Sequence, residues 1–214
     1  MFVNTKNSNN KETMNFLSID CSTDFTSLFI KTKNNTFSKV LQSDKSNNNF
    51  LMKQILDFFA ENNLKLDHLD QIFVNQGPGN FSGLRSSLAV AKGISLAKKV
   101  NLSGYDTFIL CCAKFFKKKI YIYSFVKVRD KYFVKMFNKN LNKTSKVKVI
   151  TKEQIIKNYK SKFKVIPKNM KNKFDKHILK LGNLKTIDLD HNELEFLKIK
   201  GLLSEDLIKP LYLS

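Results

Sequence analysis

Arginine and tryptophan are almost missing from this chain: of 214 residues two are arginine and none is tryptophan, against 36 lysines. Lysines spread along a chain say less about a specific anionic partner than an arginine-rich stripe would. Cysteine is scarce too. Cys21, Cys111 and Cys112 are odd in number, two are adjacent, and no CxxC spacing occurs. That argues against a disulfide framework and a zinc knuckle and leaves buried, reduced thiols. His68, His177 and His191 lie far apart, with no HxxxH or HExxH pair, so no helical metal site is indicated. No apolar run approaches the roughly 18–20 residues of a membrane span. The opening MFVNTKNSNNKET lacks the apolar core of a secretory signal. A cytoplasmic location without membrane contact is the expectation.

What is present fits a globular protein: 42% of the residues are hydrophobic. The length allows one large domain or two small ones. The net charge of +20 is unevenly placed. Residues 1–105 carry 12 Lys and Arg against 8 Asp and Glu, and residues 106–214 carry 26 against 10. A basic second half points to a polyanion, RNA being the obvious candidate. The same lysines also fit plain compositional bias, since Lys, Asn and Phe abound as in AT-rich genomes.

Residues 1–13 are polar and read as a disordered tail. Phe16 to Asp20 reads as a buried strand, Phe25 to Lys31 and about Thr36 to Leu41 as two more, making an antiparallel meander. Ser43 to Asn49 is a polar loop. Over 50–61 the period turns helical, with Leu51, Ile55 and Phe58 in one stripe and Met52, Leu56 and Phe59 in another. Gln71 to Val74 is a short strand, followed by a helix over 82–99 with Ser82 as its N-cap. Along it Ser82, Ser86, Ala89, Gly93 and Ala97 form a stripe of small residues. Gly93 in a helix interior costs about 1 kcal/mol against Ala, which calls for a closely approaching neighbour. Leu102 to Tyr105 is a strand, and Asp106 or Thr107 caps a helix over Phe108 to Phe116. Beyond it the spacing predicts a hairpin of Ile120 to Val128 with Tyr132 to Phe137, a capped helix over 151–159, and a strand over 162–166. No internal repeat is visible.

Two segments could carry chemistry. Asp20-Cys21-Ser22-Thr23 ends a strand as the first phosphate loop of an actin-like ATPase does, but is also an ordinary turn. Gly77-Pro78-Gly79-Asn80-Phe81-Ser82-Gly83-Leu84-Arg85 joins a strand to a helix N-terminus, where unpaired N–H groups and Arg85 favour an anion. It is neither a P-loop nor a dinucleotide fingerprint, and against a catalytic role a tight, closely packed connection is the better reading.

The run GPGNFSGLRSSLAVAKGISLA closely resembles the GPGSFTGLR-like signature of the TsaB (YeaZ) family. Met14 to Thr23 resembles that family's opening strand, and Lys209-Pro210-Leu211-Tyr212-Leu213 resembles its terminal signature. The likeness is strong over about 14–107. Beyond it Arg129 alone remains of an Asp-Ala-Arg run, and Asn47 stands where the family has a His. The resemblance implies a mixed α/β, actin-like (ASKHA, ribonuclease H-like) fold of two lobes, the second reduced: residues 14–107, and a divergent, basic lobe over 108–214. It implies a non-catalytic scaffold supporting TsaD in threonylcarbamoyl transfer to N6 of the adenosine beside the tRNA anticodon. TsaD would be the heterodimer partner, TsaE a further one, and tRNA would come through the complex, with a homodimer when the chain is alone. No metal or cofactor of its own is implied, with room for an adenine nucleotide at the complex interface. Gly77, Pro78, Gly79, Phe81, Ser82, Gly83 and Arg85 would be the signature loop. Leu51, Ile55, Phe58, Ser86, Ala89, Gly93 and Ala97 would form the partner face, unless the small stripe packs on the chain's own sheet or first helix. The competing readings are an actin-like ATPase or kinase using Asp20 and the glycine loop, and a peptidase, for which no Ser/Cys–His arrangement is recognisable.

Overall fold

The computed structural model describes residues 14–42, 50–205 and 208–211. The expected tail over 1–13, the loop over 43–49 with Asn47, and Tyr212 and Leu213 lie outside the described residues.

Two five-stranded sheets organise the chain. The first contains β1 (Phe16–Asp20), β2 (Phe25–Lys31), β3 (Thr36–Gln42), β4 (Gln71–Asn75) and β5 (Asn101–Tyr105), in the order β3-β2-β1-β4-β5. The meander is antiparallel, and β4 and β5 add in parallel. Parallel neighbours need crossovers, which α1 (Leu51–Glu61) and α2 (Phe81–Lys98) supply. The second sheet contains β6 (Tyr121–Val128), β7 (Lys131–Asn138), β8 (Lys148–Ile150), β9 (Lys164–Pro167) and β10 (Leu184–Ile187), in the order β10-β9-β6-β7-β8. Counted from its own first strand this is again 3-2-1-4-5 with the same directions. The second lobe thus repeats the first, although no sequence repeat betrays it. The two-lobe actin-like fold is present.

Side chains alternate across the first sheet with period two. Leu17, Ile19, Leu28, Ile30, Ile72 and Val74 pack under α1 and α2. Phe16, Phe29, Phe73 and Tyr105 join the core shared with the second lobe. That core is reached by α3 (Thr107–Cys112), whose six residues are all buried, and by α6 (Glu193–Ile199) through Leu194 and Leu197. Both sheet faces are therefore covered, which explains why β1 and β4 are buried at every position. Shorter pieces complete the second lobe: α4 (Lys152–Asn158) and α5 (Lys176–Leu179). A capping box of Thr151 and Gln154 starts α4.

Some sequence-based boundaries shift. The N-cap of α2 is Asn80, not Ser82: its side chain accepts from Ser82 N–H and Gly83 N–H, which puts Ser82 inside the first turn. Of the two candidates, Asp106 caps α3, accepting from Ile109 N–H. The strands β8 and β10 and the helices α5 and α6 were not expected from the sequence. After α6 the chain returns to the first lobe. Ser204 pairs with Gly104 on β5, and Leu211 N–H donates to Gln76 C=O at 2.6 Å.

Candidate functional site

The β1 turn and the signature loop form one unit held by backbone approach. A Cβ on Gly79 would lie 2.0 Å from Ser22 O, and one on Gly83 2.3 Å from Cys21 O. Both glycines are thus required by close contact with the β1 turn. Asn80 N–H donates to Ser22 O at 2.8 Å across the same contact. Gly77 has φ +107 and precedes a cis peptide to Pro78. Asn75, at the end of β4, ties the unit together. Its Nδ2 donates to Asp20 Oδ2 at 2.8 Å, Thr107 Oγ1 at 3.0 Å and Ser22 Oγ at 3.3 Å, and its Oδ1 accepts from Gly77 N–H at 2.8 Å. Asp20 Oδ1 accepts from Ser22 N–H at 2.9 Å. Both carboxylate oxygens of Asp20 are therefore engaged by the chain itself, which favours the turn-building role of this residue over a phosphate or metal role.

Opposite this unit stands the second lobe. Ser22 to Asp24 and Gly79 to Ser82 face Lys127, Arg129, Met170 and Lys173 across a cleft of about 520 Å³. Lys173 pairs with Asp24 from lobe to lobe at 3.4 Å. The guanidinium of Arg85 lies over the Phe81 ring at 3.9 Å. Where an actin-like ATPase would carry its second phosphate loop, β6 and β7 are joined by Arg129 and Asp130 alone. So tight a turn leaves no run of free N–H groups to cradle a phosphate.

Sequence reasoning missed His191, which the fold brings from the second half onto β1. Its Nδ1 sits 2.8 Å from Ser18 Oγ, which is 3.3 Å from the Tyr105 hydroxyl. The three form a buried polar chain between the lobes, and no local signal marks a residue that meets its partner 173 positions away. Burial draws the imidazole pKa below its ordinary 6.5, opposed by the charges of Asp20 and Asp190. A group whose folded pKa is depressed stabilises above its unfolded value, and this is lost as pH falls towards the folded one. The thermal midpoint should therefore be level near pH 7.5 and drop below pH 6.5, by up to about 3–5 °C per unit. Melting curves between pH 7.5 and 5.5 check this, and an equal drop in His191→Gln would refute it.

Of the residues expected at a partner face, Leu51, Ile55 and Phe58 are not available to one. All three are buried in the lobe's own core, because that stripe of α1 faces the sheet. The outward stripe is half-buried Met52 and Leu56, which is 45% exposed. The small residues of α2 do look outward. Ala89, Gly93 and Ala97 are exposed, Ser86 is half-buried, and no described residue lies within 4 Å of a Cβ placed on Gly93. Leu96 beside them is 81% exposed. The inward face of α2 is built from Leu84, Leu88, Ala91 and Ile94 instead. Ser87 is buried there as well.

Cys21, Cys111 and Cys112 are buried free thiols, and desolvation pushes the Cys21 thiol up to about 12, far from a nucleophilic thiolate. Among the described residues no three His, Cys, Asp or Glu side chains gather to hold a metal ion. No described helix is long and apolar enough to cross a membrane.

The family model for TsaD, tRNA N6-adenosine threonylcarbamoyltransferase, matches residues 42–176. Curated relatives include the tRNA threonylcarbamoyladenosine biosynthesis protein TsaB of Buchnera aphidicola subsp. Baizongia pistaciae, 35% identical over 82 residues, 37% of this chain and 36% of that one. TsaB of the Schizaphis graminum subspecies is 26% identical over 102 residues, 48% of this chain and 49% of its own. The chain thus spans about a third to a half of the length of the curated relatives it matches. Among solved structures, YeaZ from Pseudomonas aeruginosa superposes with a TM-score of 0.69 at 15% identity, over 94% of this chain and all of that one. At that identity the likeness shows the fold. With the family model covering more than half of its length, the chain belongs to the TsaD family of proteins.

Proposed function

We propose that this chain is a non-catalytic subunit in tRNA threonylcarbamoyladenosine synthesis, pairing through the outer face of α1 and α2 with a TsaD-type protein that carries the transfer chemistry. TsaE and tRNA would join through that complex, in the cytoplasm, with any adenine nucleotide at the subunit interface. In the absence of the partner the same face would close a homodimer.

The observation that carries this reading is Gly93. A glycine in a helix interior costs about 1 kcal/mol, and here none of the described residues lies near enough to use the space it leaves. With Ala89 and Ala97 it forms a backbone-deep strip beside the exposed Leu96, and α1, in contact with α2, exposes Leu56; the surface is suited to another helix packed at short distance. The relatives bearing the TsaB name support the pathway. The engaged carboxylate of Asp20 and the short Arg129–Asp130 turn support a supporting rather than a catalytic part. An ATPase or kinase is the second reading. It is favoured by Lys127, Arg129 and Lys173 facing the start of α2 across the cleft.

Ala89→Leu tests the proposal. On an exposed helix face the change should move the isolated chain's melting point by no more than about 2 °C. Against a close-packed partner, misfitted methylenes cost about 1–3 kcal/mol, a 5- to 150-fold loss of affinity. Melting and co-purification with the TsaD-type protein of the same organism read the two effects. A normal complex would overturn the assignment. ATP turnover by the pure chain that Asp20→Ala abolishes would favour the second reading.

A further inference from the structure

Between Asp106 and Asp175 the chain holds 20 Lys and Arg and only two acids, Asp130 and Glu153. The fold sorts these charges. Asp130 lies in the β6–β7 turn, and Glu153 follows β8, whose Ile150 pairs with Tyr132 beside that turn. Both acids therefore sit at the cleft end of the second sheet. The other end, some 25 Å away along the eight residues of β6, gathers lysines alone.

The gathering is specified by contacts. Lys117 N–H donates to Lys139 C=O at 2.6 Å, joining the loop before β6 to the turn after β7. The ammonium groups of Lys117 and Lys200 lie 5.6 and 5.9 Å from the centre of one ring, Phe116. Lys119 lies 4.9 Å from the ring of Phe163, which packs edge-on against Phe115. Aromatic faces thus hold three ammonium groups at the surface. None of Lys117, Lys119, Lys139 or Lys200 has an ion pair among the described residues, whereas Lys114 at the margin is paired with Asp190. Amid these charges Ile120 is 74% and Tyr121 51% exposed.

We propose that this end of the second sheet is a direct RNA contact, with the lysines on phosphates and Tyr121 and Ile120 against unpaired bases. Compositional bias accounts for many lysines; it does not account for their segregation from every acid of the segment or for apolar side chains left bare among them. An acidic protein would use the charges but not a bare ring beside an aliphatic side chain. Stacking on a ring is how loops and single strands are held. The inference deepens the proposed function, since a chain that only scaffolds a partner needs no RNA contact of its own.

The test uses the full chain and an unmodified tRNA transcript, with binding followed by anisotropy over a salt series. The patch variant reverses Lys117, Lys119, Lys139 and Lys200 to Glu. A control reverses Lys33, Lys65, Lys131 and Lys171, exposed lysines elsewhere carrying the same total charge. The patch variant should bind at least tenfold more weakly. Its log–log salt slope should fall by about 3, four phosphate contacts at roughly 0.7–0.9 each. The control should change less than threefold. Tyr121→Ala should weaken binding to a loop-bearing RNA more than to a plain duplex. Equal losses in patch and control variants would overturn the proposal, leaving diffuse attraction to a +20 chain. So would unchanged RNA binding by a patch variant that loses a protein partner. Because the patch is remote from α1 and α2, its variant should still co-purify with the TsaD-type protein. Loss of RNA with the pair intact, or the reverse, therefore separates this inference from the functional one.

Discussion

Gly79→Ala should unfold much of the population or lower the melting point by roughly 6–12 °C, while Gly93→Ala should raise it. The added methyl group is the same in both. At Gly79 it would stand 2.0 Å from Ser22 O, with Ser22 C at 2.7 Å and Cα at 2.8 Å. All three are backbone atoms and cannot swing aside, so the β1 turn must shift away. The shift also gives up the Asn80 N–H to Ser22 O hydrogen bond. Overpacking of this kind costs about 1–3 kcal/mol and the hydrogen bond about 1 more. For a chain of this length each kcal/mol is worth about 2–4 °C. At Gly93 no described residue lies within 4 Å, and the helix gains about 1 kcal/mol from Ala. Thermal melts of the two variants decide the matter. A neutral Gly79→Ala would mean that the β1 turn and the loop are not in contact. Cooler melting of Gly93→Ala would mean that the small stripe is filled from within the chain.

Lys164→Met should cost about as much, from a position with no part in any proposed contact. Lys164 is fully buried in β9, and its ammonium donates to the carbonyls of Lys162 at 2.6 Å, Tyr159 at 2.7 Å, Gly182 at 2.8 Å and Lys160 at 3.1 Å. An ammonium has three protons, so four acceptors share them. It thereby neutralises the carbonyl end of α4 and pins the turn before β10. Burial lowers the pKa of this lysine. Methionine fills the same stem volume but leaves the carbonyls without a donor, at about 1–3 kcal/mol for each that water cannot reach. A loss of roughly 3 kcal/mol is a large part of the 5–15 kcal/mol that holds a domain together. Lys162→Met, at the exposed lysine two positions earlier, is the control and should change little. Equal melting of Lys164→Met and wild type would show that the carbonyls find other partners.

The same contrast runs through the fold. Long, periodic stretches announced themselves: β1 to β4, α1, α2, the β6–β7 hairpin and the capped α4 lie within a few residues of where pattern and turn chemistry place them. Period-two and period-3.6 burial are properties of a segment, and a capped start such as that of α4 at Thr151 is local. The glycine loop was legible for the same reason, since a glycine cluster between a strand and a helix announces close approach by itself. Its family resemblance rested on one run of 21 residues, with the opening strand and the terminal segment in support. Strands of three and four residues, such as β8 and β10, carry too few side chains to show a period. They exist because β7 and β9 offer them a ladder.

Which face of a helix is free is not a local property. α1 has two apolar stripes, and nothing in the sequence says that Leu51, Ile55 and Phe58 go to the sheet while Met52 and Leu56 stay outside. The β-strands beneath decide it. The stripe on α2 shows the converse: its small residues are plain in the sequence, but only the packed lobe reveals that they look away from it. His191 reached Ser18, Lys200 reached the ring that Lys117 covers, and the lysines parted from the acids because distant segments were folded together. The sequence alone therefore determined the local elements, the signature loop and the total charge, each of which depends on near neighbours. The tertiary structure decided burial, the lobe repeat, the bridged Asp20 and the grouping of charge, since these depend on contacts between residues that the chain holds far apart.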